Sequence, residues 1–137
     1  MIQRIQSIWL LLASVLAFLT LKFSFYSGTH ITDSLYHQLN GTENLLLMTT
    51  TIALGVLTLV TIFLYKTRVI QLRLCIVGIL LDVLLVFLYY KTIQADYTRG
   101  DYAISAAAHV LIIISLILAA IGINKDQKII KDSNRLR

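Results

Sequence analysis

RLCIVGILLDVLLVFLYYK, residues Arg73–Lys91, is the stretch from which the fold is read. It is apolar from Leu74 to Tyr90, closed by a cation at each end, and interrupted once, by Asp82 near its middle. As a helix rising about 1.5 Å per residue, this run nearly matches the ~30 Å hydrocarbon core of a bilayer. A lone acid at that depth is expensive, so it demands a partner or a role.

Working outward, the whole chain has the same character. Its 137 residues are 58% hydrophobic and 14% charged, with no proline, and the mean hydropathy is +0.80. Soluble domains carry about 25% charged residues, so this balance belongs to the membrane class. The net charge of +5 is not a nucleic-acid signature, because the cations flank apolar runs, where they set topology and meet anionic headgroups. A single cysteine, Cys75, excludes an internal disulfide and a CxxC redox pair.

Three further apolar runs accompany the first. Upstream, Ile8–Phe25 continues well past Val15-Leu16-Ala17, a passable signal-peptide cleavage site, so an uncleaved span is expected. Trp9 and Phe25–Tyr26 mark its two interfaces as an aromatic belt would. Leu45–Tyr65 is the second span, with Thr51, Gly55, Thr58 and Tyr65 on one face. Small residues there let helices approach closely in lipid. The fourth span, Ala103–Ile123, carries His109, and Asn124–Arg137 follows as a charged tail. The expected fold is therefore all-α: one membrane domain, residues 1–137, forming an up-down-up-down four-helix bundle. Its spans are about 8–25, 45–65, 74–90 and 103–123.

The connections are short. Lys66–Leu72 reads as a tight basic turn and Lys91–Tyr102 as a polar loop. In Tyr26–Asn44, Asp33 or Ser34 is placed to cap a short helix through Leu39, ahead of an Asn40–Gly41 turn. His30, Asp33 and His37 would share a face of that helix at a spacing compatible with metal ligands, although a solvated loop accounts for the same residues. Cations in the short connections set orientation. Arg4, Lys66, Arg68, Arg73, Lys125, Lys128, Lys131, Arg135 and Arg137 fall on one side; Lys22, Lys91 and Arg99 fall on the other. Nine against three places both termini in the cytoplasm.

Three segments together resemble a known family. They are MIQRIQSIWLLL at Met1–Leu12, the pattern Lys66-x-Arg68-x-x-Gln71-x-Arg73-x-Cys75, and the final Asn134-Arg135-Leu136-Arg137. The chain resembles, over its whole length, a family of small bacterial four-span membrane proteins known only as a domain of unknown function. The resemblance implies four spans in a bacterial inner membrane and supplies no site residues. Members of that family tend to carry an aspartate before the last Arg-Leu-Arg, where this chain has Asn134.

The chemistry is sparse. No HExxH, GxSxG or P-loop pattern occurs, and Glu43 is the one glutamate. On the third span, Cys75, Gly78, Asp82, Leu85 and Tyr89 follow a three-four rhythm, so Asp82 should face inward. At about 1.5 Å per residue, Asp82 lies ~12 Å and His109 ~10 Å below the same boundary on neighbouring spans. The two are expected to meet as a polar pair, with Thr51 or Thr58 as alternative partners for a neutral Asp82.

Three function classes follow. The first and favoured one is a structural or accessory subunit of a larger inner-membrane assembly. Its partners would be the lipid bilayer, other membrane subunits and, at the tail, anionic lipid. The second is a small proton-coupled transporter using Asp82. The third is a membrane enzyme with an extracytoplasmic metal at His30, Asp33 and His37. No cofactor and no nucleic-acid partner is expected.

Overall fold

The computed structural model of the chain describes residues 2–135, with side chains described over residues 5–133. Four helices dominate it: α1 (Ile2–Lys22), α2 (Leu45–Phe63), α3 (Arg68–Asp96) and α4 (Ala106–Arg135). All four are long and apolar enough to cross a membrane. They form a ring in which α1 packs on α4 and α2, and α3 packs on the same two helices. Their outward faces carry Ile8, Val15, Leu80, Val83, Phe87, Val110 and Ile121, all exposed. Water would penalise that surface and lipid does not, so the protein is a membrane protein.

Small residues set how closely the helices approach. Ser14 Oγ donates to Gly55 O at 3.1 Å, and a Cβ on Gly55 would lie 2.8 Å from the Phe18 ring. On the other diagonal side, Gly78 lies beneath Leu116. The α3 face anticipated from the sequence is the buried one: Cys75, Gly78, Asp82, Leu85 and Tyr89, extended by Gln71 and Ile93. On α2 the buried face holds Thr51, Gly55 and Thr58. Tyr65 leaves that face, because α2 ends at Phe63 and Tyr65 is exposed in the turn.

Several boundaries differ from the sequence reading. The α2–α3 turn is shorter than Lys66–Leu72, since α3 already begins at Arg68. The tail is no separate element either. α4 runs on to Arg135, and Gln6 Nε2 donates to the buried Asp126 Oδ2 at 2.9 Å. That bond ties the start of α1 to the tail and holds it in register with the bundle.

The all-α expectation needs a larger correction. A three-stranded antiparallel sheet closes one end of the ring, in the order β2-β1-β3. β1 is Tyr26–His30, β2 is Tyr36–Leu39 and β3 is Tyr97–Tyr102. The first two form a hairpin from the α1–α2 connection, with Ser34 at φ 52 in its turn. No helix runs from Asp33 to Leu39. The third strand comes from the α3–α4 connection, pairing Tyr26 with Tyr102 and Gly28 with Gly100, and it shifts register between Thr29 and His30. Backbone groups leaving helices at this end would otherwise lie unpaired near the apolar boundary, and the ladder satisfies them. We refer to this as the sheet end, and to the α2–α3 turn as the turn end.

Two apolar clusters result. One, toward the turn end, gathers Leu10, Ala13, Ala17, Leu54, Cys75, Ile112, Leu116, Ala119 and Ile123. The other lies under the sheet and contains Phe25, Tyr26, Leu39, Leu47, Leu85, Tyr89, Ile93 and Tyr97. Phe25 and Tyr26 are therefore core residues rather than an interfacial belt. They are pulled inward because β1 starts at Tyr26, only a few residues after α1 ends at Lys22.

At the Gly28–Gly100 pair the backbones touch. A Cβ on Gly28 would stand 2.5 Å from Arg99 O, and one on Gly100 would clash with Ser27 O. Gly100→Val is expected to lower stability in detergent by roughly 1–3 kcal/mol through overpacking. Thr98→Val, at an exposed position of the same strand, should leave the melting temperature unchanged. Equal melting of the two variants would show that the strands do not approach this closely.

Candidate functional site

Asp82 is the midpoint of α3, with 14 helical residues before it and 14 after it in Arg68–Asp96. Its side chain is fully buried, and His109 on α4 is 2% exposed. His109 Nδ1 lies 2.8 Å from Asp82 Oδ1. A carboxylate oxygen only accepts, so against a carboxylate Nδ1 carries the hydrogen and donates; in the neutral imidazole Nε2 is then a bare acceptor. The three-four spacing on α3 and the short α3–α4 connection suffice to bring these groups together.

The surroundings are aromatic. Phe25 stacks on Tyr89 at 4.2 Å between centroids and 9° between planes. It also meets the edge of His109 at 5.5 Å, and Tyr89 lies 5.6 Å from His109. Thr51 and Thr58 take no part in the pair. Thr51 donates to Leu47 O at 2.7 Å, and Thr58 to Leu54 O and Gly55 O at 3.0 and 2.9 Å, as hydroxyls in apolar helices commonly do.

The pair is not saturated. Asp82 Oδ2, His109 Nε2, Tyr89 Oη and Asn40 Oδ1 are buried without a hydrogen-bond partner, as is Arg68 Nη1 at the turn end. Tyr89 Oη is oriented toward Thr51 without bonding to it, and it sits close against Gly41. Buried polar atoms normally find partners, so four orphans on one side of the bundle mark a place where something polar is accommodated.

Beyond them, at the sheet end, a polar cavity of about 270 Å³ is lined by His30, Leu39, Glu43, Asn44, Thr92, Asp96 and Tyr97. Glu43 is exposed as a residue, yet its carboxyl end is turned into this cavity. Loss of hydration there raises it above the usual glutamate range, against the opposing pull of the Asn40 backbone, His37, Tyr97 and His30. Burial, then the Glu43 and Asp96 carboxylates, push the Tyr97 phenol up to about 12.

The other candidates fall elsewhere. His30 ends β1, Asp33 sits in the hairpin turn and His37 is in β2, so the shared helical face does not exist. The His30 and His37 rings approach to 5.7 Å, but His30 Nδ1 is engaged by the Thr32 hydroxyl at 2.6 Å. Among the described residues no group of three or more His, Cys, Asp or Glu is placed to hold a metal ion. Lys66, Arg73, Lys125, Lys128 and Lys131 are exposed, at the turn end. Arg68 is half-buried beside them. The side chains of Arg4 and Arg135, and all of Arg137, lie outside the described residues. Sequence reasoning missed Asn40, Glu43, the Phe25 stack and the Gln6–Asp126 bond, because each depends on contacts between distant segments.

Residues 2–136 match the family model described as "Domain of unknown function (DUF4293)". No curated protein and no solved structure matches the chain.

Removing one member of the buried pair strands the other. His109→Ala should therefore destabilise the protein in detergent by roughly 3–5 kcal/mol. Asp82→Ala added to it should cost clearly less than it does alone, with a coupling of about 0.5–3 kcal/mol in a double-mutant thermal cycle. Strict additivity would mean that the two groups stand independently.

Proposed function

The chain belongs to the DUF4293 family, and on that premise we propose that it is an accessory subunit of a larger assembly in a bacterial inner membrane. The observation that carries the reading is the sheet cap. It extends beyond the helix ends, yet Ile31, Leu35 and Tyr36 are 54, 62 and 68% exposed there. Among the described residues the outer edges of β2 and β3 are likewise unpaired. Exposed apolar groups beside open strand edges are liabilities in isolation and assets in a complex. A cation-rich end fits the same role. By the positive-inside rule the cations at the turn end support a cytoplasmic position for that end and both termini, and with it an up-down-up-down course. Anionic lipid is the natural neighbour of Lys125, Lys128 and Lys131.

A second reading, a proton-coupled transporter, is favoured by one feature: a carboxylate at the centre of a span, paired with an imidazole and incompletely bonded. Intramembrane ionisable pairs of this kind mark ion pathways in pumps and transporters.

Two measurements test the assignment. A photocrosslinking amino acid at Tyr36, in cells growing at native expression, should yield a discrete adduct that survives purification in mild detergent. The same probe at Ile121, on a lipid-facing position, should not. Indistinguishable adduct patterns at both positions would remove the subunit reading. Orientation is tested by single cysteines at Thr29 and Ser133 in a Cys75→Ala background, which should be labelled by an impermeant reagent from opposite sides of the membrane. Labelling from one side would overturn the topology.

A further inference from the structure

The buried polar atoms of the bundle are distributed asymmetrically about Asp82. Toward the turn end the interior is apolar: Leu10, Ala13, Ala17, Leu54, Cys75, Ile112, Leu116, Ala119 and Ile123 close it. The polar groups among them are engaged. Ser14 bonds Gly55 O, Ser115 bonds Leu111 O, Gln71 bonds Thr61 O, and Gln6 bonds Asp126. The exception there, Arg68 Nη1, belongs to a guanidinium, which neither gains nor gives up a proton in a protein.

Toward the sheet end the pattern reverses. Leaving the pair, one meets His109 Nε2 and Asp82 Oδ2, then Tyr89 Oη two turns further along α3, then Asn40 Oδ1, all buried and unpartnered. Glu43 comes next. It is close enough to act electrostatically on the Tyr89 hydroxyl, and it lines the polar cavity that opens beside His30, Asp96 and Tyr97. Orphaned polar atoms in such a row are what a file of water molecules would satisfy.

We propose that the Asp82–His109 pair is a proton-binding site accessible from the sheet end alone, through the Glu43 cavity and past Asn40 and Tyr89. The arriving proton adds to the lone pair of His109 Nε2, while Nδ1–H continues to donate to Asp82. The pair passes from a carboxylate with a neutral imidazole, net −1, to a carboxylate with an imidazolium, net 0, and returns the proton by the same route. No co-reactant besides water is needed. The titratable groups facing the pair are Cys75 and Tyr89 on α3 and Glu43 at the head of α2, with His30, Asp96 and Tyr97 around the cavity. The buried residues of α2 itself carry no titratable group, nor do those of α1 over residues 5–22. Phe25, stacked on Tyr89 and set against His109, is the apolar barrier in this path. Because Phe25 leads directly into β1, the barrier is tied to the cap. The site is compatible with a subunit acting within an assembly and with a chain acting alone.

The test uses the full chain in vesicles of phosphatidylethanolamine and phosphatidylglycerol, sorted by whether added trypsin reaches the tail at Lys125–Lys131. Infrared difference spectra are recorded after a jump in external pH. The imidazole signal of His109 is the part that disappears in His109→Gln or, should that variant not fold, the part retained in His30→Gln/His37→Gln. With the sheet end outward, His109 should respond promptly. With the tail outward, it should respond only after the lumen has equilibrated. Prompt response in the tail-outward vesicles, equal response in both, or no titration between about pH 4 and pH 9 would each overturn the proposal. Tyr89→Phe should slow the prompt phase by about tenfold or more, as expected for loss of a proton relay, and Phe25→Ala should speed it. The wild-type comparison decides sidedness even if either variant fails to fold.

Discussion

Inside a bilayer no water stands by to receive a hydrogen bond, and that constraint shapes every polar residue in this chain. Most obey it locally. Threonines along α2 return their hydroxyls to carbonyls one turn back, so their polarity is spent within their own helix. A few obey it across the bundle, as Gln71 does with Thr61 O and Gln6 with Asp126. The Asp82–His109 pair obeys it only halfway. One oxygen and one nitrogen meet, and the opposite oxygen and nitrogen are left open. An interior that satisfies nearly everything else makes that remainder informative.

The same constraint explains the sheet. Where the helices stop, the backbone needs partners immediately, and two connections that are far apart in sequence supply them to each other. β1 at Tyr26–His30 takes β2 on one edge and β3 on the other. The ladder also buries Phe25 and Tyr26 against Tyr89 and Tyr97. The polar centre is thereby roofed by aromatic rings whose positions are set by strands, while its two principals are set by helices.

How much of this was legible in the residues depends on the range of the pattern. Runs of seventeen or more apolar residues are loud, and they located all four helices. The three-four rhythm of Cys75, Gly78, Asp82, Leu85 and Tyr89 is local to one helix, so the inward face was readable, and with it the meeting of Asp82 and His109. The strands were not readable. Tyr26–His30 contains Gly, Ser and His with a single β-branched residue, Thr29, and β2 has only 4 residues. The partner of Tyr26 in β3 is Tyr102, a pairing that leaves no mark in any short window. The helix expected at Asp33–Leu39 was a capping signal that the hairpin turn, with Ser34 in a left-handed conformation, used instead. Continuity of α4 into the tail was hidden because charge density, which usually ends a span, need not end a helix.

The order in which the strands come into being follows from where they lie in the chain. β1 and β2 lie within residues 26–39, so their hairpin is able to close as soon as the first connection has been made. β3 follows the whole of α3, and its place beside β1 stays vacant until the third span has been threaded. The cap is thus completed only by the last stages of membrane insertion, a long-range closure of the slow kind. An incompletely inserted chain would present β1 with a bare edge, a row of unpaired backbone groups open to a strand from another chain.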